Sequence, residues 1–282
     1  MSGKTSIEWA TAVWNPTTGC KRVSAGCDNC YAFKLHDQRY VAWTRGRMPT
    51  AAPQYHLPYS RLQLLADRLD DPASMKRPEL IFVDSMADLF WEAVPTDYID
   101  RVFDTMEQVD HHIYQILTKR PDRMSNYVRN RYPHRVVPEH IWLGTSVEDA
   151  RVLERVDHLR AAPAKIRFLS CEPLLGSLSN LSLKGIHWVI AGGESGPRHR
   201  VIDPSWVQEL RDMCIDAGVA FFFKQWGGAR PKDGGRRLEG REWNQYPRVS
   251  LRPTPVARRA RKLGLAPARP KESSLPRAVA VA

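Results

Sequence analysis

Leu80-Ile81-Phe82-Val83-Asp84-Ser85-Met86-Ala87-Asp88 is an apolar run that stops abruptly on carboxylates and a hydroxyl. Four consecutive apolar residues with no polar alternation suit a strand covered on both faces, which is the habit of parallel sheets. The same signature recurs at Ile113–Leu117, Ile141–Gly144, Ile166–Leu169, Trp188–Ala191 and Ala220–Phe223. An alternating aromatic run, Ile7–Trp14, reads as a first strand ending at Asn15-Pro16. Helical periodicity fills the gaps: Ile99, Val102, Phe103, Met106 and Val109 share one face, as do Val152, Val156 and Leu159. Asp203-Pro204 caps a helix carrying Val207, Leu210 and Cys214 inward, with Gly218 just past its end. Leu62, Leu65, Ala66 and Leu69 mark a further apolar helical face, after an irregular loop from Gly46 to Tyr59. Seven such β-α steps predict an α/β fold, a full or partial (β/α) TIM-type barrel with parallel strands; a doubly wound open sheet is the alternative.

Parallel β/α folds place their chemistry at the carboxyl ends of the strands. Those positions here form a polar series: Asp84-Ser85-Met86-Ala87-Asp88, Thr118-Lys119-Arg120, Thr145-Ser146-Val147-Glu148, Ser170-Cys171-Glu172-Pro173, Gly192-Gly193-Glu194-Ser195-Gly196 and Lys224-Gln225-Trp226. Asp84, Ser146, Glu148, Glu172, Gly192, Gly193 and Glu194 are the candidate binding residues. Each carboxylate could equally cap a helix or join an ion pair. Gly192-Gly193 could serve a tight turn or let a ligand approach the backbone.

Between Trp14 and Tyr31 the chain reads Trp-Asn-Pro-Thr-Thr-Gly-Cys-Lys-Arg-Val-Ser-Ala-Gly-Cys-Asp-Asn-Cys-Tyr. Cys20, Cys27 and Cys30 fall in this loop with C-x6-C-x2-C spacing. Three close thiols in a Gly, Ser and Asn-rich loop suit a metal or cluster, because the chain must wrap a soft cation. Tyr31 to Trp43 is helical in character, which puts Cys30 at a helix N-terminus that favours its thiolate. His36 on that helix is a possible fourth ligand or simply a packed ring. Cys171 is either another thiol of the pocket or a small buried apolar residue, and Cys214 belongs to the core.

The chain has 282 residues and a formal charge of +11. Residues 248–282 alone carry +8 in a Pro, Ala and Arg-rich stretch with few large apolar side chains, and residues 1–247 carry +3. The division expected is a barrel domain over 1–247 and a disordered basic tail over 248–282, either solvated or gripping nucleic acid through its phosphates. No apolar run approaches the 18 or so residues that span a bilayer, and the N-terminus lacks a signal-peptide core. We therefore expect a cytoplasmic protein with reduced thiols and no membrane partner.

Taken together the blocks resemble the phage-associated three-cysteine-motif proteins, a family of unknown function related to the radical-SAM enzymes, which include the DNA-acting barrel of spore photoproduct lyase. The resemblance runs from Ser6 to Pro247 through Trp14-Asn15-Pro16-x-x-Gly19-Cys20, Cys27-x-x-Cys30-Tyr31-Ala32, Asp84-Ser85-Met86-Ala87-Asp88-Leu89-Phe90, Leu117-Thr118-Lys119-Arg120-Pro121, Trp142-Leu143-Gly144-Thr145-Ser146-Val147-Glu148, Ser170-x-Glu172-Pro173-Leu174, Gly192-Gly193-Glu194-Ser195-Gly196, Phe223-Lys224-Gln225-Trp226-Gly227 and Gly240-Arg241-x-Trp243. It implies a [4Fe-4S] cluster on Cys20, Cys27 and Cys30, and S-adenosylmethionine held by the strand-end residues. It also implies an electron donor such as flavodoxin or ferredoxin, and a substrate that the resemblance leaves open, nucleic acid being one choice. The other reading is a zinc-binding, nucleic-acid-associated structural protein using His36. The usual radical-SAM spacing is C-x3-C-x2-C, whereas six residues separate the first pair here, and the Gly-Gly-Glu that those enzymes place after the second strand is here Asp84-Ser85-Met86.

Overall fold

The computed structural model describes residues 2–230 and 232–247. The expected tail, 248–282, lies outside the described residues. In chain order the strands are β1 (Gly3–Lys4), β2 (Ala12–Trp14), β3 (Thr17–Thr18), β4 (Gln63–Leu64), β5 (Leu80–Val83), β6 (Ile113–Thr118), β7 (Ile141–Ser146), β8 (Arg167–Cys171), β9 (Trp188–Gly192), β10 (Ala220–Gln225), β11 (Arg237–Leu238) and β12 (Arg241–Glu242). The α-helices are α1 (Tyr31–Thr44), α2 (Asp71–Ser74), α3 (Thr96–Gln108), α4 (Pro121–Arg131), α5 (Glu154–Ala161) and α6 (Pro204–Asp216).

One sheet of eight strands runs β1-β2-β5-β6-β7-β8-β9-β10. Only the β1–β2 pair is antiparallel; the other neighbours are parallel. After β2 the parallel strands follow one another in sequence order, so the strand order never reverses, and the doubly wound alternative with its switch point is excluded. β1 and β10 do not pair with each other, so the barrel is partial. The free edge of β10 is covered instead by the chain after β12: the Phe223 amide donates to the Trp243 carbonyl at 2.9 Å and the Gln245 amide to Phe221 at 3.1 Å. Covering an edge in this way removes a row of unpaired backbone groups.

The sheet is apolar on both faces for different reasons. Ile81, Val83, Tyr114, Ile116, Leu143, Leu169, Val189, Phe221 and Phe223 pack with Ile99, Val102, Phe103, Met106, Val128, Leu159, Val207 and Leu210 of the helices. The alternate residues, Phe82, Trp142, Phe168, Trp188, Ile190 and Phe222, form a second cluster with Trp9 and Tyr246. Trp188 is its centre, with ring centroids 6.2 Å from Trp9, 5.8 Å from Trp142 and 5.1 Å from Tyr246. This aromatic plug fills the face opposite the helices at the amino-terminal half of the strands. Polar residues are left for the carboxyl ends.

Two local expectations are corrected. The first strand is Ala12–Trp14, not Ile7–Trp14: the chain turns at Glu8–Trp9, the Ala10 amide bonding the Ile7 carbonyl, because Trp9 is drawn into the plug. Leu62–Leu69 is not an amphipathic helix. Gln63–Leu64 pairs antiparallel with Thr17–Thr18, the Leu65 amide donates to Pro16 at 2.8 Å, and a single 3-10 turn, Ala66–Arg68, follows. Pairing with the chain beside the cysteine loop outweighs a weak local periodicity. Among the described residues no helix is long and apolar enough to cross a membrane.

Candidate functional site

The cysteine loop leaves the carboxyl end of β2 and lies over the ends of β5, β6, β7 and β9. Its entry is rigid. Gly19 has φ +102, and a β-carbon there would stand 2.3 Å from the Arg61 carbonyl oxygen, so only glycine fits. The next amide, Cys20, donates to the Tyr59 carbonyl at 3.0 Å. Ala25–Cys27 makes a 3-10 turn, and Cys30 is the N-cap residue of α1 as expected. Cys27 is buried, Cys20 and Cys30 partly so, and all three are free thiols. Burial first, with Asp88 adding to it, pushes the Cys20 thiol up to about 12. Ligation of a metal there must therefore expel a proton that burial holds firmly. Among the described residues no three His, Cys, Asp or Glu side chains are already gathered into ligating geometry.

Three strand-end groups tie this loop down. Glu148, after β7, is buried; it accepts from the Ser24 hydroxyl at 2.9 Å and pairs with Lys119 at 3.0 Å and Arg155 at 2.9 Å. The two cations hold its carboxyl below the usual range, against the opposing push of burial. Gly26 sits directly on it: a β-carbon there would be 2.4 Å from Oε1. Glu194, after β9, accepts from Asn29 Nδ2 at 2.8 Å and is gripped by Arg200 through Nη2 at 2.6 Å and Nε at 3.1 Å. Arg200 continues to the Ala25 carbonyl and to Asp28. Arg120, after β6, pairs with Asp88 at 2.8 Å and donates to the Lys21 carbonyl at 3.1 Å.

The remaining expected residues divide. Asp84 is fully buried at the end of β5 with φ +56, a left-handed conformation that Asp tolerates better than most residues. It accepts from the Thr17 amide at 3.1 Å and the Thr17 hydroxyl at 2.9 Å, yet burial pushes its carboxyl up to about 7. It therefore orders the chain just before Gly19. Ser146 is buried at the end of β7. Gly193 approaches the Trp226 carbonyl so closely that a β-carbon would meet it at 1.9 Å, so this glycine serves chain packing. Gly192 has ordinary room, with Glu172 and Lys224 each 3.5 Å from where a β-carbon would be. Glu172 and Lys224 form an ion pair above it, their side chains 19% and 17% exposed.

His36 is buried, and its Nε2 meets the Leu57 carbonyl at 2.9 Å with the ring packed on Tyr55 and Tyr59. Cys171 and Cys214 are both fully buried in the core on the helix side, where burial raises both thiols; this decides the Cys171 question for packing. Ser24, Asn29, Arg155 and Arg200 went unread in the sequence. Arg155 and Arg200 follow their carboxylates by seven and six residues, a spacing that only the turn after each strand makes meaningful.

Comparison with known proteins adds the following. Two similar solved structures are a cysteine-to-serine mutant of spore photoproduct lyase, 11% identical with TM-score 0.47 over 76% of this chain and 63% of that one, and spore photoproduct lyase complexed with dinucleoside spore photoproduct, 11% identical with TM-score 0.44 over 75% and 64%. The chain thus spans less than two thirds of the length of these structures. No curated protein matches the sequence. A family described as protein of unknown function, DUF5131, matches residues 4–247, almost the whole described chain, and the chain belongs to that family.

Proposed function

We propose that the protein is a radical-SAM-like iron-sulfur enzyme. Cys20, Cys27 and Cys30 would hold a [4Fe-4S] cluster at the carboxyl mouth of the partial barrel. The observation that carries this reading is the donor set: three free thiols on one loop at that mouth, with Cys171 and Cys214 buried on the helix side and His36 bonded to Leu57. Three thiolates with no fourth cysteine suit a cluster with one open iron and do not suit a closed structural zinc site. When bound, the cluster and S-adenosylmethionine supply an electron and a cleavable sulfonium, and so a 5′-deoxyadenosyl radical for hydrogen abstraction.

The chain's own residues divide the remaining work. Glu148, Glu194 and Arg120 anchor the loop over the strand ends, and Asp84 orders its approach. Because Glu148 and Glu194 are saturated by Lys119, Arg155 and Arg200, they are positioning residues. Glu172 and Lys224 remain partly exposed, and an opposed carboxylate and ammonium complement a zwitterionic amino-acid group such as that of S-adenosylmethionine.

Anaerobic reconstitution with iron and sulfide, metal analysis, and EPR of the reduced protein with and without S-adenosylmethionine test the proposal. Near-stoichiometric [4Fe-4S] with a signal that changes on adding S-adenosylmethionine, and that is absent in Cys27→Ala, is the expected result. Tightly held zinc with no cluster overturns it.

A further inference from the structure

Charge is distributed unevenly over the described chain. Residues 20–61, comprising the cysteine loop, α1 and the segment that returns to Gly19, contain seven Lys and Arg and two Asp, a net +5; the remaining residues up to 247 carry −2. Elsewhere many of the arginines are paired, as with Arg131 on Asp100, Asp104 and Glu107, or Arg211 on Asp212 and Glu239, while Arg77 and Arg129 are isolated exposed cations. In this segment Lys21, Lys34, Arg45, Arg47 and Arg61 are exposed, and none has a carboxylate partner among the described residues.

The geometry of α1 arranges part of this charge in a line. Lys34, Gln38, Val41 and Arg45 recur at i, i+4, i+7 and i+11, one helical stripe, and all four are exposed. At 1.5 Å per residue the two cations stand about 16 Å apart along the axis, and Arg47, just past the helix end, adds a third exposed cation near Arg45. That is the length of about five steps of a nucleic-acid strand at 3.4 Å. At the cysteine end of the same helix Tyr31 is 54% exposed, and its hydroxyl is fixed on the Ser85 carbonyl. A ring held by its edge with open surface is a ready stacking platform.

We propose that this face binds nucleic acid, with phosphates on Lys34, Arg45 and Arg47 and a base stacked on Tyr31 beside the strand-end mouth. A linear row of unpaired cations ending in an exposed aromatic fits a phosphate backbone and its bases. The inference goes beyond the cluster assignment, since neither the charge row nor Tyr31 requires a metal.

The test is fluorescence anisotropy with a labelled single-stranded DNA of about 20 nucleotides, longer than one site. It uses the full chain before and after reconstitution, titrated between about 50 and 200 mM salt. Binding and iron loading are separate readouts, so failure of one does not disguise failure of the other. Lys34→Gln/Arg45→Gln/Arg47→Gln, all exposed groups whose loss leaves thermal melting unchanged, is expected to weaken low-salt binding at least about tenfold and to lower the log–log salt slope by about 2, three phosphates at about 0.7 each. Tyr31→Ala is expected to weaken binding by about tenfold with the slope unchanged. An unaltered slope and affinity in the triple variant overturns the proposal, the grip then lying elsewhere in the chain. So does polyglutamate of equal length binding as tightly as the oligonucleotide with Tyr31→Ala indifferent, which marks an acidic protein as the partner.

Discussion

Replacing Glu148 by Gln isolates the electrostatic part of the loop anchor. Glutamine keeps an oxygen to accept from Ser24, but it leaves Lys119 and Arg155, 3.0 and 2.9 Å away, without their shared anion. The Glu148 side chain is 1% exposed and that of Arg155 8%, so water cannot replace the lost charge at Arg155; Lys119, at 19%, recovers part of its hydration. Breaking a buried pair by removing one partner costs about 3–5 kcal/mol. Urea unfolding at pH 7 should show that loss in Glu148→Gln with an unchanged m-value. The pH dependence gives an independent check. The folded-state pKa of Glu148 lies below the unfolded 4.5, so its contribution is fully present above the unfolded value and disappears as pH falls through the folded one. The gap between wild type and variant should accordingly close in acid. A loss below about 1 kcal/mol at neutral pH, or a gap that does not narrow as pH falls below the unfolded value, would refute the reasoning. Ser24→Ala separates the two roles: it spares the ion pairs, so global stability should fall by only about 1–2 kcal/mol, while Cys27 in the metal-free protein reacts faster with a thiol reagent.

Three further outcomes follow from the same geometry. Gly26→Ala places a methyl group 2.4 Å from a Glu148 oxygen that two cations pin in place, so it should displace the loop, lower stability by about 1–3 kcal/mol and reduce iron loading on reconstitution; wild-type loading would contradict the packing. Burial pushes the folded Asp84 carboxyl up to about 7 against 3.8 unfolded, so wild-type stability should decline as pH rises from about 4 to 7; Asp84→Asn, whose Oδ1 still accepts from the Thr17 amide and whose Nδ2 can donate to the Thr17 hydroxyl, should lack that decline, and parallel stability profiles for the two proteins would exclude the shift. Trp188→Ala empties the centre of the aromatic plug and should cost about 3–5 kcal/mol by urea unfolding, with a loss under 1 kcal/mol showing that the plug does not hold the sheet.

Strands buried on both faces are legible because every residue must be apolar. Leu80–Val83 was read with its observed bounds, and each other parallel strand from Ile113 onward within one or two residues. The Asp203 cap was equally local: its side chain accepts from the Ser205 amide two residues on. Where the winning contact came from afar, the reading failed. Trp9 left the first strand for a plug built from residues up to 246, and Gln63–Leu64 left a helical pattern to pair with Thr17–Thr18. Likewise Glu148 and Glu194 could be placed at strand ends from the sequence, but not given partners. Their neighbours Ser24 and Asn29 lie 124 and 165 residues away.

By itself, then, the chain determined that parallel strands alternate with helices, except between β8 and β9 where a loop replaces the helix, that polar groups gather at the strand ends, and that three thiols share one loop after the first parallel strand. These properties depend on periodicity and on neighbours within a few residues. Only the tertiary structure decided that the barrel stays partial, with Trp243–Gln245 on its last edge, that Glu148 and Glu194 are spent on holding the cysteine loop, and that Glu172 and Lys224 are left at the mouth. A carboxylate's role is set by which cation reaches it and how much water remains, and both are properties of the packed chain.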